Sequence, residues 1–223
     1  MHASFKTRPA ALWLSLVALL GYGCAEDPDL EIPEGLQSLD PDNRAAWPED
    51  HAETLDVVAG IREDELIWAH ARGYVHASLN ETWEALQEPD VVIDRADIDS
   101  YEITGSEPGY DVSFTVHCIS HNIVTVEWDM AYRESAVIGT VEQPELVALR
   151  AEKTAGSEFF EVLTWSLHLE EVEEGVTSWE FVEQMVSIQK DAEPLESFAL
   201  DLWVDAVAFP NGEDLPDYSE EEN

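Results

Sequence analysis

Between residues 112 and 188 apolar and polar side chains alternate in runs broken by short turns, and nothing else in the chain restricts its fold so much. Val112, Phe114, Val116 and Cys118 alternate with Ser113, Thr115 and His117. After the turn Ser120-His121-Asn122, Val124, Val126, Trp128, Met130 and Tyr132 alternate with Thr125, Glu127, Asp129 and Ala131. Further extended runs cover 146–153, 159–169 and 176–188, turned at Ala155-Gly156 and Glu173-Glu174-Gly175. A period of two puts every second side chain on one face, and turns this short join antiparallel neighbours. The pattern predicts a strongly curved antiparallel meander with one apolar face to cover.

The cover follows in the sequence. Over 191–209, Leu195, Phe198, Ala199, Leu202, Trp203, Ala206 and Val207 recur at helical spacing, with Pro194 in the first turn and Pro210 and Gly212 at the end. Upstream, 66–77 has extended character, with Trp68, Tyr74 and Val75. Ser78-Leu79-Asn80-Glu81 is a capping box, in which the serine hydroxyl accepts from the third helical amide and the glutamate reaches back. It opens a short helix through Trp83 and Leu86, and Pro89 begins a second short turn through Asp94.

A strand, two short helices, a run of antiparallel strands and one long C-terminal helix is an order that resembles the helix-grip fold of the START-like (SRPBCC) superfamily. The stretch Tyr74-Val75-His76-Ala77-Ser78-Leu79-Asn80-Glu81-Thr82-Trp83-Glu84-Ala85-Leu86-Gln87-Glu88-Pro89 is similar to that family's opening, where a strand leads into a capped helix with a tryptophan and then a proline turn. The resemblance covers 66–210. It implies an α+β fold in which a curved sheet of about seven strands wraps the long helix. It also implies an apolar cavity between them, used within the superfamily for lipids, sterols, polyketides and other hydrophobic molecules. Residues placed to line such a cavity are Trp128, Met130, Tyr132, Trp165, Trp179 and Phe181 on strands, with Phe198, Leu202 and Trp203 on the helix. Plain core packing is the competing assignment for each aromatic taken singly.

The N-terminus carries a different message. Lys6 and Arg8 precede an apolar run over 10–20 that is too short to span a bilayer and has the length of a secretory signal core. Gly21-Tyr22-Gly23-Cys24 follows, and acidic sequence begins immediately after. Gly23-Cys24 resembles the lipobox of bacterial lipoproteins, although Gly21 and Tyr22 depart from its leucine-then-small pattern. The resemblance implies cleavage after residue 23, lipidation of Cys24 and a place in the cell envelope, with Ala25 at the following position favouring the outer membrane. Residues 24–47, rich in Asp, Glu and Pro, are expected to form a disordered tether. A short helical lead-in is expected within 48–65, with Leu55, Val58 and Ala59 on one side, and a second disordered acidic tail over 211–223.

Charge excludes one class of partner. The chain has 49 Asp and Glu against 10 Lys and Arg, a net charge of −39. Loss of Lys6 and Arg8 with the signal takes this to −41. Such a surface repels phosphate backbones, so nucleic acid is excluded as a partner. Glu170, Glu171, Glu173 and Glu174 flank a glycine turn without the spaced pattern of a calcium loop. His70, His76, His117, His121 and His168 show no local zinc-ligand spacing, so no metal and no cofactor is expected. His117 and His168 are the candidates for acid–base chemistry, beside a carboxylate such as Glu127 or Asp129. No phosphate loop or nucleophile elbow occurs, and Cys118 falls among apolar positions as a buried free thiol. The expectation is an exported, lipid-anchored protein binding a hydrophobic molecule or lipid. The alternatives are a cyclase- or hydrolase-type enzyme using the same cavity and a non-catalytic envelope interaction lipoprotein.

Overall fold

The computed structural model of the chain describes residues 32–121 and 124–218. The signal segment 1–23, Cys24 and the end of the tail lie outside the described residues. Among the described residues, eight strands form one antiparallel sheet: β1 (Leu55–Ile61), β2 (Ile67–Val75), β3 (Ser100–Gly105), β4 (Val112–His121), β5 (Thr125–Thr140), β6 (Gln143–Gly156), β7 (Phe160–Glu173) and β8 (Val176–Ser187). The helices are α1 (Leu79–Leu86), α2 (Pro89–Val92) and α3 (Glu193–Ala208).

The strands lie in the order β1-β2-β8-β7-β6-β5-β4-β3. After β2 the chain passes through α1 and α2 to the far edge of the sheet. It then returns strand by strand until β8 pairs with β2. The capping box is formed as the sequence predicts: Glu81 donates its amide to Ser78 Oγ, and its carboxylate accepts from the Ser78 amide. α3 packs across β1, β2 and β8 and touches α1 and α2. The face it covers holds the core, in which Trp83, Trp179, Phe181, Leu149, Leu167 and Leu202 are fully buried.

Three expectations are corrected. The segment read as a helical lead-in is a short 3-10 turn (Glu49–His51) followed by β1. Leu55, Val57 and Ala59 pack toward the core with a period of two, and β1 pairs with β2 along its length from Leu55↔Gly73 to Ile61↔Ile67. Seven residues are too few for apolar positions alone to separate the helical from the strand period. The second correction concerns the tether. From Leu36 to Trp47 the chain lies along the outer face of the sheet, with Leu36 and Ala45 buried. The Leu39 amide donates to Ser166 Oγ (3.0 Å) and the Ala45 amide to His70 Nδ1 (2.8 Å). Arg150 and Gln184 reach back to the carbonyls of Gln37 and Asp40. The third concerns the tail. Up to Tyr218 it is tied to α3, because Tyr218 donates to Asp205 Oδ1 (2.9 Å) and Arg95 donates to the Pro216 carbonyl (2.9 Å).

Candidate functional site

The inner face of the sheet does not fill itself. Near the N-terminal end of α3 a cavity of about 640 Å³ remains between the helix, the sheet and the loop that follows α2. Its walls follow from strand periodicity. Trp128, Met130 and Tyr132 come from β5, Leu163 and Trp165 from β7, and Glu183, Met185 and Ser187 from β8, each set spaced by two. Leu195 and Phe198 project from adjacent turns of α3, and Asp94, Asp97 and Ile98 close the remaining side.

The floor is aromatic, and further rings back it from the core. Phe114 stacks on Tyr132 (centroids 4.8 Å apart, 11° between planes), Tyr132 meets Trp165 edge-on at 5.9 Å, and Phe181 meets Phe198 at 6.1 Å. Trp128 meets Phe160 at 5.1 Å. The place of Trp128 depends on Gly156, its partner across β5 and β6. Gly156 has φ +97°, and a Cβ there would stand 2.4 Å from Trp128 Cα. Val124, Phe159 and Ile188 rim the cavity, and Ile188 is 69 % exposed.

Of the nine residues placed at the cavity from sequence, Trp128, Met130, Tyr132, Trp165 and Phe198 line it. Trp179, Phe181, Leu202 and Trp203 do not. Trp179 and Phe181 share the inner face but lie further along β8, where packing is solid. Leu202 is buried one turn beyond Phe198, and Trp203 turns aside to donate from Nε1 to the Tyr74 carbonyl (3.3 Å).

The two histidine candidates are on the other face. Val116 and Cys118 point inward, so His117 points outward, where its Nδ1 meets Asp129 Oδ1 at 2.8 Å and its Nε2 lies 3.8 Å from Glu127. His168 lies near Leu36 beneath the strap, and burial pulls its pKa down. Neither reaches the cavity, so the acid–base pair expected from histidine does not form there. Cys118 is buried outside the cavity wall, and burial pushes its thiol up to about 12, which leaves it protonated and unreactive.

The acidic residues of the cavity escaped the sequence reading. Glu183 is 3 % exposed, and its Oε2 makes no hydrogen bond among the described residues. Burial first, then the charges of Asp94 and Asp97, raises its pKa far above the carboxylate range. Burial also raises Asp94, to about 7. The signal was present: Glu183 falls in step with Trp179, Phe181 and Met185, at an inward position of an alternating strand. Among the described residues, no three His, Cys, Asp or Glu side chains converge on a metal-sized site.

No family model and no curated protein sequence matches the chain. Solved structures do. Human STARD10 aligns with 82 % of this chain and 77 % of its own length at 6 % identity, with a TM-score of 0.53. The chain has the helix-grip fold. Two further helix-grip structures align less closely. A STAR-related lipid transfer protein from Xanthomonas axonopodis shares 9 % identity over 72 % of this chain and 93 % of its own (TM-score 0.46). The Zhui aromatase/cyclase from Streptomyces shares 10 % over 66 % and 92 % (TM-score 0.44). At such identities the likeness concerns the fold, and site residues have to be argued from this chain alone.

Proposed function

We propose that this protein binds a hydrophobic small molecule or lipid in the helix-grip cavity, and that it does so outside the cytoplasm, anchored through a lipidated Cys24. The observation that carries the binding reading is the cavity: about 640 Å³, walled mainly by aromatic and aliphatic side chains. That volume suits a ligand of lipid-fragment or drug size. The apolar rim at Val124, Phe159 and Ile188 supports entry from an apolar phase or a carrier. Solved helix-grip neighbours named for lipid transfer agree with it.

Native mass spectrometry of protein purified from its own host is expected to find a retained apolar molecule. Leu163→Trp, which fills the wall between β7 and α3, is expected to remove that mass while leaving the melting temperature within a few degrees. A retained mass unaffected by Leu163→Trp would place the ligand elsewhere, and failure to find any bound molecule or to bind added dodecanol would overturn the reading.

The anchor rests on the lipobox-like Gly23-Cys24 after a signal core. Twelve Cα-to-Cα steps separate Cys24 from Leu36, where the chain joins the sheet, so the body would stand at most about 40 Å from the lipid. Cys24→Ala is expected to move the protein from the membrane fraction to the soluble fraction. A variant still in the membrane fraction would refute anchoring by Cys24.

A further inference from the structure

The polar end of the cavity has one sign of charge. Asp94, Asp97 and Glu183 line it, and the described lining residues include no lysine, arginine or histidine. Arg95, beside Asp94 in sequence, turns away to Asp205 Oδ2 (2.6 Å) and to the Pro216 carbonyl. Glu183 is nine-tenths buried and more, faces Trp165 across β7 and β8, and has an oxygen with no partner among the described residues. Asp94 commits Oδ1 to the amides of Ala96 and Asp97, both at 3.1 Å, which fixes its carboxyl in the wall.

Burying the Glu183 carboxyl without a partner is unfavourable, and the neighbouring charges of Asp94 and Asp97 add to the cost of ionising it. A cation relieves both costs. Since these side chains do not converge on a metal-sized site, the fitting cation is larger and brings its own apolar body. Trp165, the cross-strand partner of Glu183, lines the same cavity with Trp128 and Tyr132, and aromatic rings attract an ammonium group as well. A fatty acid or a phosphate headgroup would instead meet like charge. The N-terminal end of α3 lies at the mouth and works against a cation, but its first turn carries Glu193 and Glu196.

We propose that the ligand of this cavity is an amphiphilic amine, its protonated nitrogen held by Glu183 and Asp94 and its apolar body laid on the aromatic floor. The proposal rests on the binding reading above and adds the charge of the ligand to it. The rise in the pKa of Glu183 and Asp94 in the empty cavity agrees, because a bound cation draws both carboxyls back to the ionised form.

Calorimetric titration at pH 8 with dodecylamine, dodecanol and dodecanoate, each below its micelle concentration, separates the possibilities. Dodecylamine is expected to bind about tenfold tighter than the alcohol, the scale of one charge-assisted hydrogen bond, and dodecanoate weakest. Glu183→Gln is expected to abolish the preference for amine over alcohol. Asp94→Asn carries the same expectation should Glu183→Gln not fold. Glu142→Gln, an exposed carboxylate on the hairpin between β5 and β6, is expected to leave the preference intact, which separates the site from the general negative field. Equal binding of amine and alcohol, or a preference that survives both cavity substitutions, overturns the proposal and leaves the binding reading standing. Binding of none of the three overturns both.

Discussion

Glu134 and Glu180 sit on opposite faces of one sheet and respond to pH in opposite senses. Glu134 is 2 % exposed and accepts from Trp83 Nε1 at 2.7 Å. Burial pushes it up to about 8 against that hydrogen bond, so it is protonated at neutral pH. Below about 4.5 the carboxyl is protonated in both the folded and unfolded chain and costs nothing. Between about 4.5 and 8 only the unfolded chain ionises it, so stability falls by about 1.4 kcal/mol for each pH unit. Above 8 the loss is complete. Glu180 accepts from His70 and, with two nitrogens, from Arg72, and these bonds hold it at about 2. Its contribution is present above about 4.5 and is lost as pH falls toward 2. Stability is therefore expected to peak in mildly acid solution. Glu134→Gln keeps an acceptor for Trp83 and cannot ionise. Chemical denaturation from pH 4 to 9 is expected to show the variant gaining on the parent up to pH 8, by a few kcal/mol, and then running parallel. A gap that does not change with pH would mean that Glu134 is ionised in the folded protein.

At the scale of the element, the strap over 36–47 was the least legible part of the chain. Its composition is that of a disordered segment, and it buries few large side chains. What holds it is hydrogen bonding of its backbone to the outer face of the sheet, which leaves no apolar period to read. The Ala45 amide donates to His70 Nδ1, so that nitrogen carries no proton, and the Nε2–H faces Glu180 Oε1 at 3.3 Å. Arg72 adds a bond to the Ala45 carbonyl and stacks over Trp47, 5.0 Å from the ring centroid. His70→Phe removes the acceptor and is expected to cost about 1–3 kcal/mol, since a buried amide loses its partner. Hydrogen exchange is expected to show loss of protection at Ala45 and its neighbours while β5 to β7 stay protected. Unchanged protection at Ala45 would show that the strap is held without His70. The meander and α3 were legible because burial on one face imposes a period on the sequence, 128, 130 and 132 being the clearest case. Where the cavity stops was not legible. Phe181 and Phe198 carry the same inward signal, yet Phe198 lines the cavity and Phe181 lies in the packed core beside it.

At the scale of the molecule the governing term is the net charge of −39. The cations are spent on local pairs: Arg62 with Asp64, Arg72 with Glu180, Arg95 with Asp205 and Arg133 with Glu107 and Glu152. The 49 acidic residues thus far outnumber the 10 basic ones that could pair with them. Two effects of salt compete. Screening weakens the exposed ion pairs, each worth no more than about 1 kcal/mol. It also weakens the repulsion among all the remaining charges, which opposes the compact state. With so few pairs and so large an excess of one sign, the second effect wins. Raising NaCl from about 0.01 M to about 1 M shortens the Debye length from about 30 Å to about 3 Å. The melting temperature is expected to rise throughout that range, without saturating at millimolar salt. A rise that instead completes at millimolar calcium and is absent with sodium would mean a discrete cation site. A melting temperature that falls with NaCl would mean that exposed ion pairs such as Arg62 with Asp64 outweigh the repulsion they sit in. The same test bears on the cavity. Screening acts on the whole field, whereas the preference for amine over alcohol depends on Glu183 and Asp94 at short range inside the protein. The field brings any cation to the surface, and only a carboxyl shielded from the salt can tell one apolar ligand from another.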